Sequence, residues 1–221
     1  MMRMNFSIIV LAGIILFANI ATAIERHVPS EYATIQAAID ASSNDDVVII
    51  APGTYSGAGN KDLDFAGKAI TVKSTNPDDS AVVAATVIDC GNSGRGFSFH
   101  SGENANSILD GVTIRNGYVF TEGGGIYCSN SSPTIENCII TNNTATEDPN
   151  NPSICYGAGN CQKGSTAAII GCEITSNSSP NNCFGGGIFC SGNPTIKNCK
   201  IKKQHNAGTR RGNMPFKWHW C

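Results

Sequence analysis

Residues Gly123 to Asn143 read GGGIYCSNSSPTIENCIITNN, and from Gly185 nearly the same order returns as GGGIFCSGNPTIKNCKI. Between them, GAGNC at 157–161 and AAIIGCEITSN at 167–177 carry a degraded version. The period is not constant: 34 residues separate Cys138 from Cys172, and 27 separate Cys172 from Cys199. Strand-like pieces keep their internal spacing while loops such as ATEDPNNPSICY and SSPNNC vary in length. A solenoid tolerates this, because each repeat packs only on its neighbours and insertions stay in loops. Upstream, AITVKS, TVIDC, GFSFH and GVTIRN continue the succession of short strands broken by Gly, Asn, Asp and Ser, and no helical period is legible beyond residue 41.

The pattern predicts an all-β fold, a right-handed parallel β-helix over residues 24–201. Each coil supplies two or three short strands, paired with their counterparts one coil away at about 4.8 Å. Inward positions stack like on like: Ile126 with Ile188, Ile135 with Ile196, and two cysteine columns, Cys138/Cys172/Cys199 and Cys128/Cys161/Cys190. The glycine runs allow the positive φ or tight bends between faces. Asn143 and Asn177 are expected to stack in a bend, in the left-handed conformation, with their amides on the neighbouring coil's backbone.

Ahead of the repeats stands EYATIQAAIDASSNDDVVIIAPGTY. Thr34 can cap a short helix that carries Ile35, Ala38 and Ile39 on one face, and VVIIA is a buried-strand run. An open solenoid end exposes core and strand edges, so a helix over Thr34–Ala41 is expected to cap the N-terminal end.

Residues 1–23 read as a signal peptide. Arg3 precedes an apolar run from Ile8 to Phe17, and Ala21-Thr22-Ala23 gives the small-x-small cleavage pattern. The mature chain is then expected to be secreted or at the cell surface, without a membrane span. Ten cysteines suit an exported chain. Those in the columns read as small buried residues, whereas Cys155, Cys161 and Cys183 fall near loops and are the disulfide candidates. Zinc spacings are absent. The formal net charge of −2 gives no pull toward nucleic acid. Residues 202–221 break the pattern as a basic tail without acidic residues, holding both tryptophans. A truncated or shifted reading frame is expected to explain the break, ahead of a native cap or a binding tail. A last coil left uncapped would self-associate through its open end.

TIQAAIDA…VVIIAPGTY resembles the opening of the pectin-lyase-like superfamily of right-handed parallel β-helices. GGGIYC…PTIENCIITNN resembles the repeats of bacterial secreted and surface β-helix proteins, and the likeness runs from about Pro29 to Ile201. For the lyases in that superfamily the resemblance implies an acidic sugar chain bound with calcium on carboxylates and an Arg acting as base. Asp89, Arg95, Asp110 and Arg115 are the residues that such chemistry would draw on. Read individually, Asp110 is a turn residue before Gly111, Arg115 a solvated strand residue and Arg95 a loop residue. The paired aspartates of pectin methylesterases and the three-aspartate cluster of polygalacturonases have no counterpart. Asp45-Asp46 and Asp78-Asp79 are adjacent pairs whose members point apart. His100 has no nucleophile motif near it, His205 and His219 lie in the tail, and GAGN at 57–60 and 157–160 lacks the lysine of a phosphate loop. The sequons at Asn130, Asn142 and Asn177 are what an Asn/Ser/Thr-rich repeat produces by chance.

No catalytic, cofactor or metal residue is therefore assigned. The expected function is a secreted or surface β-helix module that binds glycans or surface partners. The alternative is a pectate-lyase-like polysaccharide lyase, the one reading that would call for calcium, and it rests on fold analogy.

Overall fold

A computed structural model describes residues 22–150, 155–180 and 183–207. Most of the expected signal peptide and the tail beyond residue 207 lie outside these. The chain is a parallel β-helix built from four all-parallel sheets. The first sheet has seven strands: Glu25–Val28, Val47–Ile50, Thr71–Ser74, Ile108–Asp110, Thr134–Glu136, Ala168–Ile170 and Thr195–Lys197. The second has six, Gly53–Ser56, Thr86–Asp89, Thr113–Arg115, Ile139–Thr141, Glu173–Thr175 and Lys200–Lys202. The third holds Leu63–Asp64, Phe97–Phe99, Ile126–Ser129, Asn160–Lys163 and Ile188–Cys190. The fourth, found only in the later coils, holds Tyr118–Phe120, Thr144–Thr146, Ser178–Pro180 and His205–Ala207.

Alternation along each strand sends one residue in and the next out, and the ladders align the inward residues. On the first sheet Val48, Val72, Leu109, Ile135, Ile169 and Ile196 form one column. On the second, Tyr55, Ile88, Ile114, Ile140, Ile174 and Ile201 form another. Ile169 therefore stands between Ile135 and Ile196. Each fully buried Ile contributes about 2 kcal/mol, and coil-on-coil stacking is where a solenoid finds that burial. The expected helix is present as Ile35–Ala41, with the Thr34 hydroxyl accepting from the Ala37 amide and Ile35, Ala38 and Ile39 buried over the first coil.

Four expectations change. A second helix, Ser80–Ala85, packs beside the second sheet, and the Asp79 carboxylate accepts from the Ala81 amide at its start. Six residues are too few to print a period, so this helix was illegible. Cys161 is not in the column of Cys128 and Cys190. It pairs in register with Tyr127 and Phe189, while Gln162 stands between Cys128 and Cys190, and Asn160 separates Ile126 from Ile188. In GAGNC the cysteine comes one residue earlier after the glycines than in GGGIYC and GGGIFC, and a one-residue slip moves a side chain to the other face. Third, the left-handed residue at the bend is Asn142 (φ +54), not Asn143. Fourth, the coil runs on past Ile201: Gln204 takes the place of Asn177, and His205–Ala207 pairs with Ser178–Pro180.

The bends show why the motif has its order. Asn116, Asn142, Ser176 and Lys203 each turn the chain out of the second sheet with φ from +51 to +57. After the last three bends comes a side chain that links to the coil before, buried at Asn143 and Asn177 and partly buried at Gln204. Asn143 Oδ1 accepts from the Gly117 amide at 2.8 Å, and its Nδ2 donates to the Ile114 carbonyl. Asn177 Oδ1 accepts from the Asn143 amide, its Nδ2 donates to the Ile140 carbonyl, and Gln204 repeats both contacts on Asn177 and Ile174. Of the GGG run only Gly123 needs a positive φ (+63); a Cβ on Gly125 would lie 2.5 Å from the Gly159 carbonyl oxygen.

Candidate functional site

The strand Tyr118–Phe120 leaves the second-sheet corner at Asn116–Gly117 and pairs with Thr144–Thr146. Its middle residue, Val119, turns inward onto Ala145 and Ala158, a small apolar cluster apart from the main core. Alternation sends the other two residues outward. Tyr118 is 40% exposed and Phe120 48% exposed, their rings edge to face with centroids 5.9 Å apart. Thr144 and Thr146 stand beside them in register on the next coil. The Tyr118 amide donates to the Gly94 carbonyl at 2.8 Å, which fixes the other side of the strand. Two large rings, nearly perpendicular at 82°, thus stand exposed on backbone held from both sides, a small aromatic patch that offers a ring face and a ring edge.

Next to this strand lies an ion pair. Arg115 Nε donates to Asp89 Oδ2 at 2.9 Å, and Asn116 Nδ2 donates to Asp89 Oδ1 at 2.9 Å. Burial alone would raise the Asp89 carboxyl. The donors from Asn116, the Gly91 amide and Arg115 outweigh that and hold it below the ordinary carboxylate range.

Of the residues that lyase chemistry would draw on, Asp89 and Arg115 come together, while Asp110 and Arg95 lie on other sheets. Asp89 and Arg115 share the second sheet's outer face. Asp110 is on the first sheet, in register with Glu136 and accepting from Asn137 Nδ2 at 2.9 Å. Burial and the neighbouring Asp78 raise its carboxyl. Arg95 lies over the Tyr127 ring of the third sheet, 4.9 Å from its centroid. His100 is exposed, its Nδ1 3.4 Å from Ser98 Oγ and its Nε2 3.9 Å from Asp64 Oδ2. Asp45 is an exposed left-handed turn residue, whereas Asp46 is buried and binds Arg26 at 2.8 Å. Asp78 lies near Asp110, and Asp79 caps the second helix. Of the histidines in the expected tail, His205 is on the last described strand and His219 lies outside the described residues.

Among the described residues no three His, Cys, Asp and Glu side chains converge to hold a metal ion. Burial raises the thiols of Cys128 and Cys161 and pushes Cys90 up to about 12. Burial thus favours the protonated form of these thiols over the reactive thiolate. The column of Cys138, Cys172 and Cys199 is structural, each Sγ donating to the carbonyl of Leu109, Ile135 or Ile169 on the coil before. Of the three disulfide candidates, Cys155 and Cys183 are bonded to each other and Cys161 is a buried thiol.

Asp89, Arg115, Asp110, Arg95 and the column cysteines were all legible as residues. The Tyr118–Phe120 platform was missed. Its only signal was the alternation in YVF, a three-residue run between the GVTIRNG and GGGIYC pieces that carries no repeat motif. No protein-family model matches the chain, and neither a curated protein nor a solved structure matches it. Among the described residues no helix is long and apolar enough to cross a membrane.

Proposed function

We propose that this chain is an exported β-helix module that binds glycans, with the Tyr118–Phe120 strand as its docking platform. The observation that carries the reading is the pair of exposed rings on one outward strand face, with the half-buried Thr144 beside Tyr118. Pyranose rings present an apolar C–H face that stacks on an aromatic ring, while their hydroxyls need donors and acceptors beside it. An exposed aromatic pair on a strand buries sugar area without first losing conformational freedom. Export is supported by the apolar N-terminal segment and by the Cys155–Cys183 bond, which suits an oxidising compartment. The likeness to pectin-lyase-like β-helices supports carbohydrate as the ligand class by analogy alone.

The test is calorimetric titration of the purified chain with a panel of neutral and acidic polysaccharides, repeated on Tyr118→Ala/Phe120→Ala. Saturable binding that weakens at least about tenfold in the double variant, about 1.4 kcal/mol, is the expected result. Failure to bind any member of the panel, or equal binding by the double variant, overturns the reading. An ultraviolet-absorbing product from polygalacturonate with calcium, lost in Arg115→Ala, would establish the lyase alternative instead.

A further inference from the structure

The two ends of the solenoid carry opposite charge. At the N-terminal end, residues 24–46 hold five acidic residues and one arginine. Arg26 and Asp46 neutralise each other in a partly buried pair, which leaves Glu25, Glu31, Asp40 and Asp45, all exposed. Lys68 is the cation against this end, its Nζ donating to the Ile39 and Asp40 carbonyls. At the other end, residues 195–207 hold four lysines and no acid. Lys197, Lys200, Lys202 and Lys203 are all exposed. The coil before has Ile170, Glu173, Thr175 and Ser176 at those four positions. This cationic arc, along the first and second sheets, is thus a property of the last described coil, not of the repeat.

The centres of the two ends also differ. Among the described residues, the last coil's strands are terminal in all four sheets. Its core residues are less covered than those inside: Ile188, Ile196 and Cys199 are partly buried, and Ile201 is 37% exposed. The first end is closed by the helix Ile35–Ala41, whose outward side is smooth, with Ala33, Ala37 and Ala41 exposed. The first strand also satisfies its own edge at His27, whose amide donates to Glu31 Oε2 and whose carbonyl accepts from the Glu31 and Tyr32 amides. This end does not add a strand at His27, but it offers a small-residue surface with exposed carboxylates near it.

We infer that the basic, incompletely covered C-terminal end of one copy docks on the acidic helical cap of a second copy, stacking the solenoids head to tail. Like ends repel, because lysines would meet lysines and carboxylates would meet carboxylates. Opposite ends match in charge and bring the alanine surface over Ile196 and Ile201. The contact is heterologous, so each docked copy leaves one end of each sign free and growth continues linearly. Ion pairs at this periphery set its orientation and salt dependence, and the apolar centre supplies burial.

Sedimentation velocity of the purified chain tests this in low-salt buffer and again at about 0.5 M salt, where screening shortens to a few ångströms. At least a doubling of the weight-average mass is expected at low salt, with return to monomer at high salt. Lys197→Glu/Lys200→Glu/Lys202→Glu should remain monomeric at low salt, and so should Glu25→Lys/Glu31→Lys/Asp40→Lys. The six positions are solvent-facing, and far-ultraviolet circular dichroism checks that both variants fold. Mixed together, the two variants should sediment as complexes, because each then presents ends complementary to the other. A monomeric parent at low salt, association indifferent to salt, or a mixture that stays monomeric overturns the inference.

Discussion

At the scale of single residues, the fold depends on what each bend position tolerates. Asn116, Asn142, Ser176 and Lys203 all hold positive φ, yet only asparagine is suited to it by a side chain that bonds locally. Ser176 carries a steric cost that asparagine reduces. Ser176→Asn should stabilise the chain by about 0.5–1 kcal/mol, read as a higher urea midpoint at unchanged slope; an unchanged or lower midpoint would contradict this. Residue chemistry was legible where one residue type fills one need. Asn143 and Asn177 were identified as linkers to the neighbouring coil, and that role is what they perform. The left-handed position was misplaced by one residue because both members of the Asn142-Asn143 pair suit a bend. Cys161 was misplaced because cysteine is at home on either face once buried.

At the scale of elements, the cap and the loops are where stability can be read out. Asp46 joins the first strand to the turn after the helix, its carboxylate accepting from the Ser43 and Ile24 amides and from Arg26. The Ser43 amide is the main cause holding its carboxyl below the ordinary 3.8, with Ile24 and Arg26 adding to it against the cost of burial. Glu103 is also held low: burial opposes this, and the Gly67 and Ser101 amides outweigh it. A carboxyl depressed on folding contributes stability above its unfolded value and loses it as pH falls through the folded one. Asp110 and Glu136 have the opposite sign, raised chiefly by burial, so protonating them relieves a penalty. Stability should therefore rise slightly as pH falls from neutral toward mild acid, then fall below about pH 4 as Asp46, Asp89 and Glu103 protonate. Chemical denaturation across pH checks this, and a monotonic rise in stability toward low pH would contradict it. A second element-scale prediction concerns Cys155–Cys183, which closes a separation of 28 residues between loops of adjacent coils. Cys155→Ala/Cys183→Ala should cost about 3 kcal/mol, and reductant should destabilise the parent but not the variant. Equal sensitivity of both to reductant would contradict that assignment. The helix Ile35–Ala41 was legible from its cap and its apolar face, and Ser80–Ala85 was not, because one and a half turns carry no period.

At the scale of the whole molecule, the repeat was sufficient for the architecture because stacking turns a local pattern into a ladder. It was not sufficient for the site. The fourth sheet arises where each coil leaves the main core at Asn116, Asn142 or Ser176 and returns through a glycine run, and nothing in the length of those loops announces a strand. The platform on that sheet uses residues that the repeat does not preserve: Thr144 and Ser178 occupy Tyr118's position on the next two coils. Function on a solenoid is written in such departures, as the lysines of the last coil also illustrate. The most direct test of the glycan-binding reading is affinity electrophoresis of the chain through gels carrying polysaccharide, with the polymer's length measured afterwards. Retardation that disappears in Tyr118→Ala/Phe120→Ala, with the polymer left at its original length, is the expected result. Retardation that survives the double substitution, or a polymer shortened by the chain, would contradict it.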